Sequence, residues 1–571
     1  MTLISRFKDI ANKYGQRVAL YSEEGQLTYY ELNQKANAVA GLLMRKESGS
    51  NVIGIQMKRS FSFFVAVLGV LKSGRAYVPI DPTYPQERID QMISGAKIDT
   101  VICESKPNNT NNVRYIELNR EELLSESDID MSLIDDLACV LFTSGSTGSP
   151  NGVMITHRSI LNTVLWVIDY YALTPDDVEL QVASISYTSA LQDIFSTLLS
   201  GGSLVLPAEE RMLNSRYLNM LTQKFQVTHF DIVPTLYNVF LDSVNKGNSL
   251  RYVLVAGEKL QRTLVKKHFA ILPGVRLINE YGMAETSSCC TAKEILSPDD
   301  EITIGTPIYN TAYLIEDDDN TSYGELLIAG EGLAKGYYEN DKLTEQKFVS
   351  INKARYFKTG DIVYKNEIGD LVYVGRKDKQ VKINGRRVNL DEVDVQLQSC
   401  EMVTDSLTLQ VEFREKLLIV SFLIALNIDI RLLRDKLQEK LPRHMVPTYF
   451  ELIKAFPLLP NGKKNVKEMK NMFIKKLEKT IVIQTPVYKE ILGSIQDVSH
   501  GLLMDPAYEI DVRKQGIDSI TFIQLLAELE DRLSFEFGYD DIDKLNVVSM
   551  ENLYYHISDL LEKKHVENRC N

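Results

Sequence analysis

The sequence predicts an α/β protein of several domains, and three observations indicate this. The chain has 571 residues, which is too long for a single hydrophobic core. Over residues 1–375, apolar runs rich in β-branched residues alternate with segments of helical periodicity. Beyond residue 375 the pattern changes to that of a smaller α+β region and then to that of a helical C-terminal region. Alternation of this kind is typical of layered folds with largely parallel sheets.

The large region supplies the strands and helices of this prediction. Its strand-like runs include NVIGIQM (51–57), TVICES (100–105), GSLVLP (202–207), RYVLVAG (251–257) and ELLIAG (325–330). Helical periodicity between them is clearest in SFFVAVLGVLKSG (62–74) and RSILNTVLWVIDYY (158–171). The segment LVYVGRKDKQVKI (371–383) predicts a strand, a charged turn and another strand.

The smaller α+β region extends to about residue 470. It contains VTDSLTLQVEF (403–413), KLLIVSFLIAL (416–426) and RLLRDKLQEKL (431–441). The apolar run at 417–426 is too short to cross a bilayer and predicts a buried strand or hairpin. A helical region follows Pro486, and in it GIDSITFIQLLAELEDRL presents one apolar face. Ser519 stands just ahead of that face, where a helix N-cap belongs.

Composition excludes some classes of function. The formal net charge of −13 argues against a general nucleic-acid binder, which needs a basic face. The first residues are amphipathic and of mixed charge, unlike a signal peptide. The six cysteines lack metal-ligand or redox spacing. We therefore expect a cytoplasmic enzyme that binds neither nucleic acid nor membrane.

The loop LFTSGSTGSPNGVMITH (141–157) combines glycines with small hydroxyl residues, a composition that suits phosphate binding. It is not a Walker A motif, because GxxxxGK[ST] fails at every register. Its candidate phosphate-binding residues are Thr143, Ser144, Gly145, Ser146, Thr147 and Gly148.

Five further segments accompany this loop in order. They are LKSGRAYVPIDPTYPQERI (71–89), NEYGMAETS (279–287), YFKTGDIVY (356–364), GRKDKQVKINGRRVNLDEVD (375–394) and FPLLPNGKKN (456–465). In kind, number and spacing they resemble the adenylation domains of nonribosomal peptide synthetases, members of the acyl/aryl-CoA synthetase, luciferase and adenylation-domain superfamily. The resemblance covers about residues 1–470, and the GIDSI tail resembles a peptidyl or acyl carrier domain.

The resemblance implies a domain order. A large layered α/β adenylation core would span 1–377, and a small α+β subdomain, which in the family rotates between two half-reactions, would span 378–475. A linker at 476–486 would lead to a helical-bundle carrier (thiolation) domain at 487–571. The family hinge falls at Asp378, and the segment around Gly385 would face the pantetheine arm.

The resemblance also implies the chemistry. A substrate carboxylate attacks the α-phosphate of ATP, giving an acyl-adenylate and pyrophosphate. Lys463 would bridge the carboxylate and the α-phosphate as the catalytic cation, and Glu285 would ligate Mg²⁺. Tyr281 would stack on adenine, and Asp361, with Arg376 nearby, would bind the ribose.

In the second half-reaction, a 4′-phosphopantetheine thiol on Ser519 attacks the adenylate to form a thioester. The implied partners are a small carboxylic acid, a phosphopantetheinyl transferase and a downstream biosynthetic enzyme that accepts the thioester. The chain contains no region of condensation, thioesterase or ketosynthase size, so we interpret it as a loading module of nonribosomal peptide or hybrid polyketide biosynthesis.

The loop departs from the family at two positions. Relatives usually carry lysine at one or both of the places held here by Ser149 and Asn151. Losing that charge weakens contact with the β- and γ-phosphates, so we expect a raised Km for ATP in steady-state kinetics.

The predicted substrate pocket also departs from the pattern of the family. Most relatives that activate α-amino acids carry an aspartate where SYTSALQD (186–193) places Thr188, a poor counter-charge for a buried ammonium group. By the same matching, the pocket is lined by Tyr187, Thr188, Ser189, Gln192, Asp231, Leu254, Ala256, Glu280, Ser288 and Cys289.

Asp231 and Glu280 are two acids where many relatives have neutral residues, and two buried carboxylates need a cation or a proton. We therefore hypothesise an amino or guanidino acid whose charge lies at the β, γ or a more distant position. A standard basic or polar α-amino acid is the alternative, its ammonium group held by Asp231. Two other readings stay open: an acyl-CoA synthetase, against which the GIDSI tail argues, and a degenerate, non-catalytic carrier scaffold.

Overall fold

A computed structural model describes residues 1–45, 49–107, 113–118, 128–145, 150–244, 247–316, 323–377, 380–383, 385–400, 402–413, 416–425, 428–458, 464–479, 494 and 519–533. The chain forms two compact units, which meet in the sequence between Arg387 and Val388. Among the described residues, no helix has the length and apolar character needed to cross a membrane.

The first unit alternates strands with helices, as the sequence predicts. Its helices are α1 (Leu3–Tyr14), α2 (Tyr29–Arg45), α3 (Phe61–Lys72), α4 (Gln86–Gly95), α5 (His157–Tyr170), α6 (Thr188–Ser200), α7 (Ser215–Lys224), α8 (Pro234–Ser243), α9 (Arg262–Ile271) and α10 (Asp341–Lys347). Its strands are β1 (Val18–Ser22), β2 (Gly25–Thr28), β3 (Val52–Gln56), β4 (Ala76–Ile80), β5 (Thr100–Cys103), β6 (Arg114–Glu117), β7 (Leu137–Thr143), β8 (Asn151–Thr156), β9 (Val178–Leu180), β10 (Ser203–Val205), β11 (His229–Ile232), β12 (Tyr252–Val255), β13 (Arg276–Met283), β14 (Ser288–Ile295), β15 (Thr306–Pro307), β16 (Thr311–Glu316), β17 (Gly324–Gly330), β18 (Gly336–Tyr337), β19 (Phe348–Ile351), β20 (Ala354–Lys365), β21 (Leu371–Arg376), β22 (Gln380–Ile383) and β23 (Arg386–Asn389), the last of which continues into the second unit.

Two large sheets carry the helices. One has seven strands in the order β18-β8-β7-β4-β3-β5-β6, and the other has nine in the order β15-β14-β13-β12-β11-β9-β10-β1-β2. Pairing is parallel from β7 to β6 in the first sheet and from β13 to β1 in the second. The prediction of a layered α/β region with largely parallel sheets is confirmed for these two.

A third sheet differs from that prediction. It joins β16, β17, β20 and β19 in this order, with β21 on β20, and every pairing in it is antiparallel. Most of its strands are linked by short segments, and antiparallel neighbours tolerate such links, whereas parallel ones need a crossover.

Strands β11, β12 and β13 position the candidate pocket. Their register aligns Asp231 with Leu254 and Ile278 in one row across the sheet. Glu280 lies two residues beyond Ile278 on β13, so its side chain shares that face. The acidic side chains of Asp231 and Glu280 are thereby brought together at the carboxyl ends of parallel strands. This edge of an open α/β sheet is where ligands bind.

The second unit contains helices α11 (Leu390–Gln398), α12 (Ile430–Lys440), α13 (Val466–Lys479) and α14 (Ser519–Leu533), and strands β24 (Val403–Phe413), β25 (Lys416–Ala425) and β26 (Tyr449–Leu452). The apolar run at 417–426 forms β25, the middle strand of a three-stranded sheet, with its apolar side chains largely buried. This agrees with the predicted buried strand.

Helix α14 begins at Ser519, at the place where the GIDSI motif predicts a helix start. Its buried side chains are Phe522, Leu525, Leu526 and Leu529. Most of the region assigned to the carrier domain lies outside the described residues, so a helical-bundle carrier stays a prediction.

Candidate active site

The predicted phosphate loop joins the end of β7 to the start of β8. The Thr143 hydroxyl donates to the carbonyl of Asn151 over 3.4 Å, and the buried Ser144 hydroxyl donates to the carbonyl of Arg387 over 3.1 Å. The loop residues Ser146, Thr147 and Gly148 lie outside the described residues. The described part of the loop is thus tied to Arg387, a residue that the sequence reading did not single out.

Asp361, predicted to bind ribose, lies on β20 directly opposite Arg376 on β21. The Arg376 guanidinium donates to Asp361 Oδ1 over 2.8 Å, and the Tyr281 hydroxyl donates to Asp361 Oδ2 over 2.5 Å. Burial and the neighbouring Asp361 carboxylate hold the pKa of Tyr281 well above its usual value, so this phenol remains a donor. Three residues predicted from separate motifs therefore form one hydrogen-bonded group.

Lys382 lies against this group. Its ammonium nitrogen is 5.8 Å from the centre of the Tyr281 ring and 3.5 Å from the carbonyl oxygen of Gly282. Burial lowers the pKa of Lys382, while the Asp361 charge opposes that effect. Lys382 therefore places a positive charge beside the Tyr281 ring, which is predicted to stack on adenine.

Glu285, the predicted metal ligand, is completely buried. Nη1 of Arg387 lies 2.9 Å from each of its carboxylate oxygens, and the Tyr337 hydroxyl donates to Oε1 over 2.7 Å. Burial by itself would raise the pKa of Glu285, but the Arg387 charge and these hydrogen bonds outweigh it and lower that pKa. Glu285 is therefore ionised and paired with the Arg387 guanidinium.

This arrangement does not fit a bound Mg²⁺ as it stands. Mg²⁺ is commonly held by one or two carboxylates together with substrate phosphates and waters. Here both oxygens of the single carboxylate are already engaged, and the described residues contain no group of three His, Cys, Asp or Glu side chains able to hold a metal.

The predicted pocket centres on the buried Glu280. Its Oε1 accepts from the Tyr171 hydroxyl over 2.7 Å, and its Oε2 accepts from the Gln192 amide over 2.8 Å. Gln192 in turn accepts the backbone N–H of Cys289 over 3.4 Å. Glu280, Gln192 and Cys289, three of the predicted pocket residues, are thus linked by hydrogen bonds.

The other predicted pocket residues lie on neighbouring elements. Thr188 is the first residue of α6, Tyr187 precedes it, and Ser189 follows it. Leu254 lies near the end of β12, Ala256 just beyond that end, and Ser288 at the start of β14. Ser288 has a φ of 110°, an uncommon backbone conformation for a residue with a side chain.

The sequence reading missed a second group of buried acids behind this pocket. Glu179 on β9 accepts from the Thr197 hydroxyl, and its Oε2 lies 3.6 Å from His229 Nε2. Asp193 on α6 is 1% exposed, and its Oδ2 has no hydrogen-bond partner among the described residues. Burial, followed by the charges of Glu179 and Asp231, holds the pKa of Asp193 well above its usual value. A charged residue inside a short apolar strand, as in VELQV at 178–182, was the available signal.

Lys463 and the hinge residue Asp378 lie outside the described residues. Ser519 is described only as the first residue of α14. The roles assigned to these three residues stay predictions.

Comparisons with known proteins show the family to which the chain belongs. Residues 7–338 match the family model described as AMP-binding enzyme. Bacitracin synthase 3 of Bacillus licheniformis is 36% identical over 478 residues, which cover 81% of this chain and 8% of that protein. Bacitracin synthase 1 of the same organism is 35% identical over 590 residues, covering 100% of this chain and 11% of that protein. The chain therefore spans about a tenth of the length of these relatives.

Solved structures show the same fold. Holo-PA1221, an NRPS protein containing adenylation and PCP domains bound to a vinylsulfonamide inhibitor, superposes with a TM-score of 0.79 at 22% identity, covering 93% of this chain and 92% of that one. NpsA-ThdA, an artificially fused adenylation-PCP di-domain NRPS from Klebsiella oxytoca, gives 0.71 at 23% identity, covering 79% and 93%. Because the family model matches more than half of the sequence, the chain belongs to the AMP-binding enzyme family of adenylate-forming ligases.

Proposed function

We propose that the chain activates a small carboxylic acid as its acyl-adenylate and transfers the acyl group to a phosphopantetheine thiol on Ser519. One observation carries the first half of this proposal. Tyr281, Asp361 and Arg376, which come from three separate motifs, form one hydrogen-bonded group, and Tyr281 lies in the segment, residues 7–338, that matches the AMP-binding enzyme family.

In the first half-reaction, a carboxylate oxygen of the substrate bonds to the α-phosphorus while the bond to pyrophosphate breaks. The protein supplies position and charge and forms no covalent bond to the reactants. Asp361 and Arg376 would fix the ribose, Tyr281 would lie against adenine, and Thr143, Ser144 and Gly145 would approach the phosphates with the rest of their loop. Lys463 would stabilise the charge that develops on the α-phosphate.

The second half-reaction gives the carrier region its role. The pantetheine sulfur bonds to the acyl carbon, AMP leaves, and the thiol proton passes to solvent. The alignment with bacitracin synthase 1 covers the whole chain, including the GIDSI segment, and holo-PA1221 combines an adenylation domain with a PCP domain. A loading module that passes its thioester to a downstream enzyme is consistent with both comparisons.

The substrate proposed here carries a positive charge away from its carboxylate. Asp231 and Glu280 are each 4% exposed. No described Lys or Arg side chain forms an ion pair with either of them, and the hydrogen bonds to Glu280 come from the neutral groups Tyr171 and Gln192. Thr188 offers no counter-charge for an α-ammonium group. Amino or guanidino acids with a distal cation fit this charge distribution, and a basic or polar α-amino acid held by Asp231 is the alternative.

A pyrophosphate-exchange panel tests the substrate class. The wild-type chain should prefer acids with a distal ammonium or guanidinium group over neutral acids of the same length. Glu280→Gln and Asp231→Asn should each lower kcat/KM for the preferred acid about 30-fold, since removing one partner of a buried charge pair costs roughly 2 kcal/mol or more. Asp176→Asn is the matched control, because its side chain is 86% exposed. Preferential activation of an apolar α-amino acid would refute the cationic substrate while leaving the ligase activity intact.

The same carboxylates predict how substrate affinity depends on pH. Burial, with the negative charges of Glu280 and Glu179, holds the pKa of Asp231 well above its usual value. Burial also raises the pKa of Glu280, although its hydrogen bonds to Gln192 and Tyr171 oppose the shift. A cation favours the ionised carboxylates, so its binding should release protons, and KM for the charged acid should fall as pH rises. The other titratable groups of this region are Glu179, Asp193, His229, Tyr171 and Cys289.

Calorimetry in two buffers of different ionisation enthalpy measures this proton release directly. The observed binding enthalpy should differ between the buffers in proportion to the protons released. Equal enthalpies in both buffers, together with a KM that does not change with pH, would contradict the predicted charge state of the pocket.

A further inference from the structure

Asp193 is a buried acid on α6 that the predicted pocket does not include. It is 1% exposed, and its Oδ2 atom has no hydrogen-bond partner among the described residues. A buried carboxyl oxygen ordinarily has a partner, because removing it from water without one is costly. The unpartnered oxygen therefore indicates that a donor from outside the chain completes this part of the molecule.

The sheet that packs against α6 carries acids at two depths. On β11, Asp231 follows His229 by two residues, so their side chains share one face of the sheet. His229 is paired in register with Glu179 on β9. Glu179 therefore lies one step further than Asp231 from the carboxyl end of the sheet, where the predicted pocket begins.

Helix α6 places Asp193 between these two depths. Residues four apart lie on one face of a helix, so Asp193 lies one turn after the half-buried pocket residue Ser189 and one turn before Thr197. The Thr197 hydroxyl donates to Glu179. Asp193 thus lies directly below the predicted pocket and above the deeper acid.

This polar layer between α6 and the sheet has little positive charge of its own. It holds four buried acids, which are Glu179, Asp193, Asp231 and Glu280. Within the described part of the chain, none of the four forms an ion pair with Lys or Arg, and the His229 imidazole lies 3.6 Å from Glu179. Burial, followed by the charges of Glu179, Asp231 and Glu280, raises the pKa of Asp193 well above its usual value. Each of these acids needs a proton or an external cation.

Arg59 is a buried cation of this region, but it does not supply that charge. Burial lowers the pKa of Arg59, while the charges of Glu209 and Asp193 oppose the shift. Its Nη2 atom donates to the carbonyl of Ala183 over 2.8 Å. The Arg59 guanidinium is therefore held by the backbone, and the carboxyl of Asp193 keeps its unpartnered oxygen.

A guanidinium fits this arrangement better than an ammonium group. It is planar and presents five N–H donors in a fixed fork, so its two edges can bond carboxylates on two sides. An ammonium group presents three donors around a single nitrogen. Asp231 on the sheet and Asp193 on the helix offer acceptors from two such sides.

We propose that Asp193 accepts the far edge of a substrate guanidinium whose near edge is held by Asp231, so that the chain prefers a guanidino acid to an amino acid of equal length. Asp193 is thus a specificity-determining residue that contacts the substrate. The inference rests on the proposed activation of an acid with a distal cation, and it adds the chemical identity of that cation.

Pyrophosphate exchange with matched pairs of acids tests this preference. In each pair, the terminal nitrogens lie the same number of atoms from the carboxyl group. The pairs are 4-guanidinobutanoate with 6-aminohexanoate, 5-guanidinopentanoate with 7-aminoheptanoate, and arginine with homolysine. The guanidinium preference is kcat/KM for the guanidino acid divided by kcat/KM for its partner. In the pair that wild type activates best, it should be at least about tenfold, since a hydrogen bond to a charged group contributes roughly that factor.

Substitutions at Asp193 separate substrate contact from a structural role. Asp193→Asn should lower the preference to about one and leave kcat/KM for the amino acid within about threefold of wild type, because only the guanidinium reaches this side chain. A structural role would lower both members of a pair equally. Asp193→Glu, whose side chain is one methylene longer, should retain a preference but shift it to the next shorter guanidino acid.

Ser196→Ala is the matched control. It removes another buried group of α6, a hydroxyl that donates to the backbone carbonyl of Asp193, and it should show the wild-type preference. The wild-type comparison needs no variant, so it decides the matter even if a substitution prevents folding.

Two results would overturn the assignment of Asp193 while leaving the proposed substrate class intact. They are equal kcat/KM for both members of every activated pair in wild type, and a guanidinium preference that persists unchanged in Asp193→Asn. If no acid of any pair is activated, the proposed class of acids with a distal cation is wrong, and the assignment of Asp193 is wrong with it.

Discussion

Replacing Lys463 with alanine should reduce pyrophosphate exchange at least about 100-fold at saturating acid and ATP. The transition state carries its greatest negative charge at the α-phosphate, and loss of one charged or hydrogen-bonding group at such a centre costs about 10²–10³ in rate. KM for the acid should change far less, because the pocket acids Asp231 and Glu280 are untouched.

Lys464→Ala is the matched control for this prediction. Its ammonium group pairs with Asp405 at 2.9 Å within the second unit, so its loss should affect stability more than rate. Equal losses of exchange in the two variants would contradict the assignment of Lys463, as would a Lys463→Ala variant that retains more than about a tenth of the wild-type rate.

Replacing Ser519 with alanine should abolish covalent loading and leave pyrophosphate exchange within about twofold of wild type. The thioester needs the phosphopantetheine thiol, which has no other attachment point in this account, whereas adenylation is completed before the thiol reacts. Intact-protein mass spectrometry after treatment with coenzyme A and a phosphopantetheinyl transferase measures the first effect, and isotope exchange measures the second.

Ser534→Ala is the control for this second prediction, because it removes a serine of the same region that lies outside the GIDSI motif. Ser534→Ala should undergo covalent loading to the same extent as wild type. Loading that persists in Ser519→Ala would show that another side chain carries the arm, and loss of exchange in that variant would show that Ser519 has a role in the first half-reaction.

The sequence alone was sufficient to predict a layered α/β region with largely parallel sheets. Strands such as β3, β5 and β12 are short apolar runs bounded by turn residues, and this pattern is visible in the amino-acid sequence. The antiparallel sheet of residues 311–376 was not predicted, because pairing direction depends on connections and tertiary neighbours, which single-strand patterns do not contain.

The residues of the candidate site were likewise predicted only in part. Tyr281, Glu285, Asp361 and Arg376 were found because each belongs to a motif with a recognisable order. Arg387 lies within one of those motifs, yet its partner Glu285 is about a hundred residues away in the chain, so their contact depends on folding. The pair of Glu179 and His229 was missed for the same reason, since cross-strand neighbours become visible only when the register of β9 and β11 is known.

Acid activation and carrier loading are tested together by the intact mass of the phosphopantetheinylated chain after incubation with ATP, Mg²⁺ and a panel of acids. We expect a mass increase equal to one acyl group on Ser519. This increase should depend on ATP, be largest for acids with a distal cationic group, and be absent in Ser519→Ala. If no acid in a panel that includes apolar, polar, acidic and basic members produces an ATP-dependent mass increase, and none supports pyrophosphate exchange, the chain is not an acid-loading ligase and the central claim is wrong.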